Sequence, residues 1–148
     1  MLALNHAVFG GIIAVTLQKP ELIIPTAIIA HFAMDVMPHF GNSESFGTYS
    51  RKYYRVIAVD TAITLLLATS MSVVWPSSAA IILLGGICAC LPDFLWPLAP
   101  KVDKKSLLGK FFRFHKRIQI SETPQGILSE LAWFSFFSAG LIDLYVYR

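Results

Sequence analysis

Charge is what this chain has least of. Asp, Glu, Lys and Arg make up 14% of its 148 residues, while 55% are hydrophobic; an ordinary soluble domain carries about 25% charged residues. With several apolar runs near spanning length, this deficit excludes an ordinary soluble domain and predicts a polytopic membrane protein. Cysteine is almost missing too. Cys88 and Cys90 stand one residue apart in an apolar run, which gives neither a disulfide framework nor a Cys-x-x-Cys metal pair. They read as small buried hydrophobes. There is no Gly-x-Ser-x-Gly elbow for a serine nucleophile and no Gly-rich phosphate loop. A histidine-box oxygenase needs more than the four histidines here. No basic segment precedes the first apolar run and His6 interrupts it, so it reads as a retained span, not a cleaved signal.

What is present divides into five apolar runs: Leu2–Leu17, Leu22–Met37, Tyr54–Trp75, Ala79–Leu91 and Gln125–Tyr147. Gly10-Gly11 permits close helix contact in the first. Gln18-Lys19-Pro20-Glu21 makes a tight polar turn, Pro38 stops the second run, and Pro92 ends the fourth. Residues 41–52 read as a loop. Thr123 and Pro124 read as N-cap and first helical residue of the fifth run. The expected fold is all-α: one domain over residues 1–148, a membrane bundle of about five spans plus one short interfacial helix.

That interfacial helix is read from Lys101–Arg117, which holds seven of the twelve Lys and Arg. Leu107, Leu108, Phe111, Phe112 and His115 share one face, with Lys104, Lys105, Lys110, Arg113 and Lys116 mostly elsewhere. Beside membrane spans such a patch meets anionic lipid, not nucleic acid. Five crossings put ten of the twelve cations on the side of the N-terminus, so the N-terminus is expected in the cytoplasm and the C-terminus outside.

The acids and histidines then gather at that cytoplasmic face. His31, Asp35 and His39 are spaced i, i+4, i+8, which aligns them on one helix face and suits a divalent metal. His6 opens span one, Asp60 lies just inside span three, Asp93 closes span four, His115 sits on the basic helix and Glu130 lies early in span five. Random placement near helix ends would scatter these groups over both faces; among them and their kind only Asp143 stands clearly at the other. Pairs of hairpins repeat the pattern weakly, His6 to Asp35 and Asp60 to Asp93.

Asn5-His6, His31-x-x-x-Asp35, Leu91-Pro92-Asp93 and Phe114-His115-Lys116-Arg117 together resemble motifs of the small bacterial inner-membrane metal-dependent hydrolases. Phe94, Leu95 and Trp96 stand where that family continues with a second Asp and a His. The resemblance implies metal ligands at His6, His31, Asp35, Asp93 and His115 and a bacterial inner-membrane location. The spacing adds His39. The expected cofactor is a divalent metal, Zn2+ first, with Mn2+ or Mg2+ as alternatives, activating water for hydrolysis. Asp60 or Glu130 is the expected general base or supporting carboxylate, and Lys110, Arg113 and Lys116 the expected hold on the anionic headgroup of a lipid or lipid-linked ester. Two other classes use the same residues: a cation or proton transporter, and a structural membrane protein with interhelical hydrogen bonds.

Overall fold

A computed structural model describes residues 1–41 and 51–147. Most of the expected loop at 41–52 lies outside them. Among the described residues the chain forms six α-helices: α1 (Ala3–Leu17), α2 (Pro20–Asp35), α3 (Arg51–Val74), α4 (Ala79–Phe94), α5 (Leu107–Ile118) and α6 (Ile127–Tyr147). The protein is all-α apart from β1 (His39–Phe40) and β2 (Glu122–Thr123), a short parallel pair that the sequence does not announce.

Three segments are long and apolar enough to cross a membrane: Tyr54–Val74, Ala79–Lys101 (α4 with the 3-10 turn Trp96–Lys101) and Ile127–Leu144. α1 and α2, at 15 and 16 residues, are shorter than the roughly 20 residues needed to cross the hydrocarbon core. α1 occupies the middle of the bundle, packed against α2, α3, α4 and α6.

Small residues make that central position possible. A Cβ on Gly10 would lie 2.3 Å from the Gly85 carbonyl oxygen, and one on Gly85 2.2 Å from that of Gly10. α1 and α4 therefore touch backbone to backbone, with Ala14 and Ala89 one turn further along. Around this seam pack Val8 and Ile13 of α1, Met34 of α2, Met71 of α3, Ile82 of α4, and Phe137 and Leu141 of α6.

Several boundaries differ from the sequence reading, each for a local reason. α2 begins at Pro20, where a proline costs no hydrogen bond. Gln18, in the left-handed region at φ 56°, turns its amide back to the Ala14 carbonyl and closes α1. α4 does not stop at Pro92 but runs through it to Phe94 before tightening into the 3-10 turn. α6 starts at Ile127, so Thr123 is not its N-cap: Thr123 is bound into β2 instead. Gly126 gives the close approach this requires, since a Cβ there would sit 2.1 Å from the His39 carbonyl oxygen.

The α1–α4 seam yields a paired prediction. Gly85→Ala drives a methyl into backbone and should lower unfolding stability by about 1–3 kcal/mol. Gly86→Ala meets only ordinary contacts at Ala7, 3.5 Å away, and should stay within about 0.5 kcal/mol. Thermal unfolding of both variants in detergent checks this; equal losses would contradict the seam.

Candidate metal centre

The first turn of α1 is where the site begins. Leu2, its N-cap, supplies no side-chain acceptor, which leaves the first amides of the helix without partners. Two carboxylates from other helices take them. Asp60 of α3 accepts from Ala3 (2.8 Å) and Leu4 (3.1 Å). Glu130 of α6 accepts from Leu2 and from Phe40, both at 3.0 Å, and its other oxygen accepts from the Asn5 amide at 2.6 Å. Negative charge at a helix N-terminus is favoured by the local dipole. Held in this way, α1 presents His6 one turn in, fully buried.

α2 supplies the next two groups from its last turns. His31 and Asp35 keep the i, i+4 relation, with Nε2 3.2 Å from Oδ2. His31 is aimed by the Ala89 carbonyl, which accepts from its Nδ1 at 2.7 Å. A carbonyl only accepts, so the neutral ring carries its proton on Nδ1 and turns the Nε2 lone pair inward. Pro92 lies inside the last turn of α4, where it supplies no amide to the Cys88 carbonyl; the same turn carries Asp93.

His115 arrives on α5, the amphipathic helix, capped by Ser106 accepting from the Gly109 amide. The sequence places Phe112 and His115 on the inward face, and both are buried. Trp96 lies against both rings, with centroids 5.4 and 5.2 Å away, and Phe32 of α2 meets His115 edge-on at 5.4 Å. Aromatic packing thus closes the site toward α5.

The five groups converge. His6 Nε2 is 3.2 Å from Asp35 Oδ1 and 3.9 Å from Asp93 Oδ2. His31 Nε2 is 3.8 Å from Asp93 Oδ1 and 3.1 Å from His115 Nε2. His115 Nε2 is 2.9 Å from Asp35 Oδ2 and 3.5 Å from Asp93 Oδ1. One donor atom from each of His6, His31, Asp35 and Asp93 lies within 4.8 Å of the others, so this buried group can hold a metal ion. The Met1 amine stands 2.7 Å from Asp35 Oδ1. Burial opposes that ammonium, but Asp35, Asp93 and Glu130 outweigh it and raise its pKa. The surroundings favour a cation.

No protein family, curated protein or solved structure matches the chain. The site is therefore read from its own chemistry.

The other expected residues stand elsewhere. Because α2 ends at Asp35, His39 leaves the helical register and sits on β1, where its Nδ1 donates to the Met37 carbonyl at 2.7 Å. Burial first, and then the Met1 ammonium, hold its pKa below the ordinary histidine value. Asp60 and Glu130 face the amides of α1, an arrangement that positions a helix and leaves no oxygen of theirs without a donor. Lys110, Arg113 and Lys116 are exposed on α5. Arg113 donates to the Lys104 carbonyl and, with Phe114, Lys116 and Arg117, lines an open groove. Two participants escape a reading of the sequence. Gln119 sets its amide nitrogen 3.4 Å from both Asp35 Oδ2 and His115 Nε2, and its i, i+4 relation to His115 is the signal that marks it. Asn5, beside His6, ties α1 to Glu130.

A stability measurement separates the two roles. Asp60→Asn turns an amide donor toward α1's own donors and should cost about 1–2 kcal/mol, with metal content unchanged in the folded protein. Metal lost without loss of stability would assign Asp60 to the centre instead.

Proposed function

We propose that the chain is a bacterial inner-membrane protein of five crossings, N-terminus in the cytoplasm, and that it is a metal-dependent hydrolase of lipid or lipid-linked phosphoesters. One observation carries the enzymatic reading: three imidazole nitrogens stand 2.9–3.9 Å from the oxygens of two carboxylates at the end of an apolar bundle. Ligands about 2.0–2.1 Å from a common ion stand about 3.3 Å apart in a tetrahedron, which is the scale of these separations. The motif resemblance to inner-membrane metal-dependent hydrolases names the same five residues.

The outer surface supports the membrane reading. Val73 and Leu66 of α3 and Phe136 of α6 are 75%, 69% and 68% exposed, an apolar exterior that lipid would cover. Thr64, Thr69, Ser70 and Ser72 each donate to the carbonyl four residues back. Hydroxyls satisfied within their own helix are what hydrocarbon surroundings demand.

A bound divalent ion would supply Lewis acidity and lower the pKa of a water ligand to about 7. The chain's residues do the rest. His31, fixed by Ala89, needs least rearrangement to bind. Nδ1 of His6 and of His115 is buried without a partner among the described residues, so putting their protons there to free Nε2 costs about 1–3 kcal/mol each. Asp93 is 27% exposed where Asp35, His6, His31 and His115 are 0%, so water and substrate enter on its side. Lys110, Arg113 and Lys116 of α5 hold the anionic headgroup beside His115. Asp60 and Glu130 accept from the first amides of α1 and position that helix.

Detergent-purified protein should contain zinc or manganese and cleave a phosphoester bond of phospholipids, or release phosphate from polyprenyl monophosphates. His31→Ala/Asp35→Ala should lose both properties, as should chelated wild type. A folded wild type that takes up no metal on reconstitution would overturn the proposal.

A further inference from the structure

We infer that the centre holds two divalent cations bridged by both Asp35 and Asp93, an assignment that rests on the metal-binding reading above. The two carboxylates divide their oxygens in the same way. Asp35 Oδ1 and Asp93 Oδ2 face His6, at 3.2 and 3.9 Å. Asp35 Oδ2 faces His31 and His115 at 3.2 and 2.9 Å, and Asp93 Oδ1 faces the same two rings at 3.8 and 3.5 Å. Each carboxylate thus turns one oxygen to each side, the posture of a bridging ligand.

Ring geometry makes the same division independently. His6 and His31 are stacked, centroids 4.2 Å apart and planes 27° from parallel. An imidazole binds along a lone pair in its own plane. Planes this close to parallel converge only far from the rings, whereas an ion on Nε2 lies only about 3 Å from the ring centre. An ion in the plane of one ring therefore lies off the plane of the other, which is poorer geometry for a shared ion. Two ions, each in the plane of one ring, avoid this, as the paired cations of two-metal hydrolytic sites do.

His31 and His115 behave differently. Their rings are 72° apart with Nε2 atoms separated by 3.1 Å, so their lone pairs can converge on one ion. His31, His115, Asp35 Oδ2 and Asp93 Oδ1 then form a four-ligand site of tetrahedral size. His6, Asp35 Oδ1 and Asp93 Oδ2 form the second, with three side-chain ligands. An incomplete shell is the usual mark of the ion that binds water or substrate.

Metal analysis of zinc-reconstituted protein in detergent tests this. Wild type should bind two ions per chain, and His6→Ala should keep one. One ion per wild-type chain would overturn the bridged pair while leaving a mononuclear hydrolase standing; none would remove both readings. Should His6→Ala fail to fold, wild type loaded with Mn2+ decides by electron paramagnetic resonance. An exchange-coupled pair is expected, and the spectrum of isolated ions would overturn the bridge.

Discussion

A carboxylate buried in an apolar bundle is unfavourable by several kcal/mol unless its charge is met, and Asp35 has no exposed surface. The bundle meets that charge from every side: His6 from α1, His31 from its own helix, His115 and Gln119 from α5, and the Met1 amine. Helices that share no sequence neighbourhood are thereby tied to one point. The same cluster, His6, His31, Asp35 and Asp93, can hold a metal ion.

Reaching Asp35 from α1 requires two further devices. Gly10 and Gly85 let α1 sink against α4, and Asp60 with Glu130 fix its first turn from α3 and α6. The second device accounts for two ionisable residues that would otherwise look like chemistry. Carboxylates at a helix N-terminus satisfy orphan amides and answer the local dipole, so depth in an apolar helix does not by itself imply catalysis. The consequence for function is positional: loosening α1 moves His6 away from both acids at once.

Much of the centre is legible in the amino-acid sequence. The i, i+4 spacing of His31 and Asp35 survives because it is local helical geometry. His6, Asp93 and His115 join them because alternating helix directions bring those ends to one layer, a consequence of short turns such as Gln18-Lys19. What is not legible depends on contacts between distant segments. His39 leaves the centre because α2 stops at Asp35 and the residues after it pair with β2. Pro92 has the look of a terminator, yet α4 tolerates it and runs on to Phe94, so that Ala89 and Asp93 both belong to its last turns. Asp60 and Glu130 differ from proton-transfer groups only in the amides they face. The boundaries of α1 and α2 stand close to expectation, but their lengths fall short of a full crossing.

X-ray absorption at the metal edge of zinc-loaded protein in detergent tests the central claim most directly. A centre built from His6, His31, Asp35, Asp93 and His115 predicts nitrogen and oxygen ligands at about 2.0–2.1 Å with the outer-shell scattering of imidazole, and no sulfur. A sulfur shell at about 2.3 Å, or a metal without imidazole, would place the ion elsewhere and contradict the account.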